Sequence, residues 1–194
     1  MNSPMIRNLL SPLSYLRIKH EQKPFADWTL PSVFSIISIL LICWTRGQYP
    51  TDIHEEGGIL SKILAFTQNL PGFYIAALAA IATFNKNGID QVMPEPAPKI
   101  ETFRQNRRVT IDLTRRSFLC MMFAFLTTES IAITVAIIFW QTLYPPIKTI
   151  TTTYPGAFFS MIYTSGTLFM FWQMIITTMW GLYYLGDRIH RNDE

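Results

Sequence analysis

"FLCMMFAFLTTESIAITVAIIFW", residues Phe118 to Trp140, would be at home in lipid at every position but one. The exception is Glu129, which stands at the centre of the stretch with eleven residues on each side. Read as a helix, the stretch places the carboxyl ~16 Å from either end, at 1.5 Å per residue. Its length falls within the roughly 17–25 apolar residues that cross the hydrocarbon of a bilayer. It is a membrane span, and an ionised carboxylate at its middle costs several kcal/mol on insertion scales. Glu129 should therefore point inward, stay protonated, or both.

The rest of the chain agrees with that solvent. Of 194 residues, 49% are hydrophobic and only 15% charged, against roughly 25% charged in soluble domains. The apolar residues fall in four blocks, Thr29–Thr45, Leu60–Phe84, Ser117–Leu143 and Ala157–Leu185. This predicts an all-α integral membrane protein of four transmembrane helices. Its segments are a cytoplasmic N-terminal stretch over 1–28, a transmembrane hairpin over 29–84, a basic loop over 85–116, a second hairpin over 117–186, and a tail over 187–194. The first stretch is charged and lacks a small-residue cleavage site, so it reads as preceding a signal-anchor. Cys43 and Cys120 would sit in opposite leaflets, too far apart for a disulfide, and read as small apolar fillers.

Basic residues set the orientation, because Lys and Arg near span ends stay on the cytoplasmic side. Thirteen of the sixteen lie in the N-terminal stretch, the 85–116 loop and the tail, leaving Arg46, Lys62 and Lys148 opposite. Both termini are predicted to be cytoplasmic. Trp28, Trp44, Trp140, Tyr144, Trp180, Tyr183 and Tyr184 fall at span ends, as an interfacial aromatic belt would.

Ser11 and Pro12 read as the start of a short helix. Leu9, Leu13 and Leu16 would form a stripe opposite Arg17 and Lys19, suited to lying in the inner membrane interface. Pro24 is expected to break that helix before span one, which would start at Thr29-Leu30-Pro31. In the loop, "PEPAP" (94–98) reads as a stiff extended spacer. "KIETFRQNRRVTIDLTRR" follows, with six basic residues against two acidic ones. As a helix it would align Arg104, Arg107 and Arg108, whereas Val109, Ile111 and Leu113 alternate as a strand would. Arg104, Arg107, Arg108, Arg115 and Arg116 are the candidates for binding anionic lipid or an acidic partner protein. Asp52, His54, Glu55 and Glu56 in an outer loop read as a solvated turn.

At 100° per residue, Met122, Phe125, Ala132, Ile133 and Ala136 share the helical face of Glu129. Ala132 and Ala136 form a small-xxx-small pair, and Gly72, Ala76 and Ala80 form another stripe that permits close helix packing. Gln173, at similar depth on span four, is the expected partner of Glu129. The chain carries no Gly-x-Ser-x-Gly, His-Glu-x-x-His or phosphate-cradling loop. His20, His54 and His190 fall on both sides of the membrane. The reading is of a non-enzyme with no cofactor and no metal site.

The four-span layout, with "PEPAPKIETFRQNRR" where an inner partner would dock, resembles the membrane subunit (A subunit) of the Kiwa anti-phage defence system. The resemblance implies a bacterial inner-membrane sensor or scaffold that forms homo-oligomers and recruits a soluble cytoplasmic effector. Nucleic acid would be met only through that partner. The same layout is similar to the immunity proteins against pore-forming colicins. Three functions stand as expectations: a sensor or scaffold in antiviral defence, an ion pore or carrier using Glu129, and an immunity protein.

Overall fold

The computed structural model describes residues 5, 10–48, 57–83, 89–93, 97–104, 107–150 and 155–190. Among them, four helices are long and apolar enough to cross a membrane: Phe25–Thr45, Ile59–Thr83, Arg115–Tyr144 and Phe158–Leu185. They lie within a few residues of the four apolar blocks. The bundle's outer surface is itself apolar, with Leu40, Phe73, Phe139 and Met161 all about 60% exposed or more. That much exposed apolar surface suits acyl chains and not water. The chain is a multi-pass membrane protein by length and composition.

Span three is the centre of the bundle. It packs against span two, span four and the N-terminal segment, while span one packs on span four. Its buried face carries Phe118, Met122, Phe125, Leu126, Glu129, Ile133 and Ile137, at the three- and four-residue spacing of one helical stripe. Met122, Phe125 and Ile133 are therefore on the buried Glu129 face, as the sequence reading placed them. Ala132 and Ala136 are exposed, as are Gly72, Ala76 and Ala80. The small-residue faces point away from the single chain's core. A close approach inside the bundle is instead at Gly181, where a Cβ would run into the end of the Met122 side chain.

Two prolines shape the spans. Span two is assigned as two helices, α2 (Ile59–Thr67) and α3 (Leu70–Thr83), because Pro71 has no N–H to give to residue 67 and its ring crowds that carbonyl. In span one, a π-helical turn over Phe25–Thr29 leads into α1 (Leu30–Gln48). Pro31 leaves the carbonyl of Asp27 without its intrahelical donor, and Gln173 Nε2 from span four supplies one at 3.1 Å. Pro24 does not break the chain as expected. It has helical φ and ψ of −59° and −31°, the conformation in which a first-turn proline loses nothing.

The fold is not all-α. The basic loop contains a two-stranded antiparallel hairpin, β1 (Lys99–Arg104) and β2 (Arg107–Asp112). The register pairs Ile100 with Ile111, Thr102 with Val109 and Arg104 with Arg107. The period-two pattern prevails over the helical one because Ile100, Val109 and Ile111 then share one face. The hairpin leads directly into α4 (Arg115–Ile150); span four is the core of α5 (Pro155–His190). Of "PEPAP", residues 94–96 lie outside the described residues, while Ala97 and Pro98 are buried. The acidic outer loop, Leu9 and residues 191–194 lie outside them as well.

Candidate functional site

The end of the bundle that carries the N-terminal segment, the hairpin root and the start of span three is built as a cap. Ser11–Arg17 is a 3-10 helix, in which residues three apart eclipse one another and form straight rows. Pro12, Tyr15 and Ile18 form the inward row, with Tyr15 fully buried and Ile18 4% exposed. Leu10, Leu13 and Leu16 form an outward row, all exposed. The expected leucine stripe is present, but on a 3-10 helix and with Leu10 in the row. Tyr15 stacks on Phe125 at 5.0 Å between ring centroids and tilts against Phe118 at 6.3 Å. Those rings lie three and ten residues into span three, so the segment sits alongside its first ~15 Å.

The cap has two further ties. Met93 N–H donates to Leu113 O (3.2 Å), and Leu113 N–H to Pro98 O (3.0 Å), which fixes the hairpin root. Arg116 makes a two-pronged pair with Asp90, Nε to Oδ1 at 2.7 Å and Nη2 to Oδ2 at 2.9 Å. Its Nη1 donates to Ile81 O and Ala82 O, the carbonyls that a helix end leaves open. The guanidinium beside Asp90 holds that carboxyl below its ordinary value. Arg116, a candidate for lipid or partner binding, is thus a staple between spans two and three. For Arg104, Arg107 and Arg108 the structure gives the strand register only, on and beside the arginine-rich end of the hairpin.

Beneath the cap lies a charged core that the sequence reading missed. Asp27 is fully buried and Lys23 is 5% exposed. The Lys23 ammonium pairs with Asp27 Oδ2 and lies 4.3 Å above the centre of the Tyr15 ring. Tyr15 donates its O–H to Asp27 Oδ1 at 3.1 Å. Burial, together with the Asp27 charge, holds the Tyr15 phenol proton on well above its usual range. The buried Thr177 hydroxyl from span four faces the Tyr15 hydroxyl. The cluster joins three elements, the N-terminal segment, span one and span four.

Glu129 is buried, as expected, at 5% exposure. Gln173 is buried too, but it gives its amide N–H to Asp27 O, and Glu129 Oε2 has no hydrogen-bond partner. The polar contact expected between Glu129 and Gln173 is replaced by one between Gln173 and the π-turn backbone. Farther along span three, Thr134 donates to Thr67 (3.3 Å) and Gln141 to Ser61 (2.9 Å), both on span two.

No family model matches the chain, and no curated protein or solved structure matches it. Among the described residues, no group of three or more His, Cys, Asp or Glu side chains is placed to hold a metal ion. The features that remain for function are the basic hairpin on its braced cap, the exposed small-residue faces, and the buried carboxyls of Asp27 and Glu129.

Proposed function

We propose that the chain is a non-enzymatic subunit of a bacterial inner-membrane assembly, with both termini cytoplasmic. It forms homo-oligomers and recruits a soluble effector through its basic hairpin, as a sensor or scaffold in antiviral defence. The observation that carries this reading is the cap. A two-stranded hairpin is marginal alone, yet this one is braced by Lys19, Met93, Pro98 and Leu113 and runs without a break into span three. A displacement of span three would move the hairpin with it. Arg104, Arg107 and Arg108 give that hairpin the charge to meet an acidic surface, and such contacts mainly set partner choice and association rate. The exposed Gly72–Ala76–Ala80 and Ala132–Ala136 faces favour contact with further copies. Reversing the three arginines to glutamate is expected to abolish co-purification of the effector while leaving the oligomer intact. Unchanged co-purification would remove the hairpin from the account.

A second reading rests on Asp27 and Glu129. Two carboxyl side chains buried in a spanning bundle, one without a partner for an oxygen, suit an ion or proton path. Proteoliposomes that hold a proton and cation gradient under every stimulus would rule it out.

A further inference from the structure

Lys19 and Lys99 stand directly opposite each other where the N-terminal segment meets β1. They exchange both backbone hydrogen bonds, Lys19 N–H to Lys99 O at 2.8 Å and Lys99 N–H to Lys19 O at 2.9 Å. In such a pair the two side chains rise from the same face, with Cα atoms about 5.5 Å apart. Like charges placed this way repel. Each lysine has an exposed acidic partner, Lys19 Nζ to Glu101 Oε1 at 2.6 Å and Lys99 Nζ to Asp112 Oδ1 at 3.7 Å. All four side chains are 44% exposed or more. Pairs this open contribute little, and each ammonium has three donors to place.

Both lysines line an open cleft of about 600 Å³, and neither Glu101 nor Asp112 does. Its floor includes Lys23 and Asp27, which neutralise each other. The charged side chains left in the lining are the two lysines and Glu21, beside His20. His20 Nδ1 accepts the Gln22 N–H at 3.2 Å and its ring lies 6.0 Å from that of Trp180. The remaining walls are apolar, with Leu16, Ile18 and Trp28 among them. Trp28 is 58% exposed at the start of span one, where an interfacial tryptophan marks headgroup depth.

We propose that this cleft binds the phosphate of an anionic phospholipid, clamped between the ammonium groups of Lys19 and Lys99. The lipid's upper acyl chains then lie along Leu16 and Trp28, continuous with the lipid-facing side of span one. Lysine serves a phosphate as a point charge, and a phosphate between two opposed lysines offsets the repulsion that their exposed ion pairs only weakly answer. The apolar wall selects a lipid over free phosphate. The bound headgroup would bridge the N-terminal segment to the hairpin root. This inference needs only the membrane placement and is independent of the scaffold reading.

The test is native mass spectrometry of the full chain in mild detergent. Phosphatidylglycerol, phosphatidylcholine with the same acyl chains, and inorganic phosphate are added in separate arms. The wild-type chain should retain one phosphatidylglycerol per copy in preference to phosphatidylcholine. Lys19→Ala with Lys99→Ala should weaken that retention about thirtyfold, taking each basic contact near the surface at its usual strength. Lys19→Arg with Lys99→Arg should restore it, and Glu21→Gln should strengthen it. Arg104→Ala, Arg107→Ala and Arg108→Ala together should leave it unchanged. Equal retention of both lipids, an equal loss on removing the hairpin arginines, or inorganic phosphate displacing the lipid at equal concentration would each overturn the assignment.

Discussion

Removing the Lys23 ammonium is the sharpest perturbation the fold offers. Lys23→Met keeps the length of the side chain and leaves Asp27, fully buried, with the Tyr15 hydroxyl as its remaining side-chain donor. Breaking a buried pair by removing one partner typically costs about 3–5 kcal/mol. An exposed pair would cost roughly 0–1 kcal/mol, so the burial of both side chains, 6% and 0% exposed, decides between the two ranges. At about 2–4 °C per kcal/mol for a chain of this size, the loss is on the order of 10 °C in Tm. The double variant Lys23→Met/Asp27→Leu removes both charges and should recover most of it, since replacing a whole buried pair is often neutral. Thermal unfolding in mild detergent, followed by intrinsic tryptophan fluorescence, measures all three chains. A single variant within 2 °C of wild type, or a double variant no better than the single, would refute the reasoning.

Glu129→Leu should leave Tm unchanged or raise it, because Glu129 Oε2 has no hydrogen-bond partner and an apolar side chain of similar volume removes a desolvation cost. A large fall in Tm would show that the carboxyl is needed for packing. Gly181→Ala should move stability by no more than about 1 kcal/mol, since its Cβ meets the flexible end of the Met122 side chain, which can turn aside, and Ala is the better helix former; a loss of several kcal/mol in a thermal melt would show that Met122 is locked in place. Asp90 is held below its ordinary value by Arg116, so its pairing supports the fold above pH ~4 and is lost as pH falls through the lowered value. An acid melt of Asp90→Asn should accordingly show a flatter low-pH limb than wild type, slightly less stable at neutrality and converging with wild type at the acid end.

Much of this was legible in the sequence, because in a bilayer the length and position of apolar runs set the spans. The 118–140 run and the buried placement of Glu129 follow from that rule. The hairpin was legible as one of two periods, and the burial of Leu113 with the packing of half-buried Ile100 against the cap decides for the strand. The charged core was not read. Lys23 and Asp27 stand four apart, the spacing of facing helical residues, but they precede the apolar block and so look solvated. What buries them is the N-terminal segment folding back, a long-range event that no local pattern encodes. The Asp27–Gln173 contact did have a local signal: Pro31 must leave the carbonyl of residue 27 unpaired. The small-residue stripes are exposed on the single chain, which makes its close approach at Gly181 instead.

The central claim is that a braced basic cap on an oligomeric membrane bundle holds a soluble partner. Native mass spectrometry of the tagged chain, co-expressed with its neighbouring genes and extracted in mild detergent, tests it most directly. The account predicts a homo-oligomer carrying a soluble protein that is lost when Arg104, Arg107 and Arg108 are reversed. A lone monomer with no bound protein would contradict it.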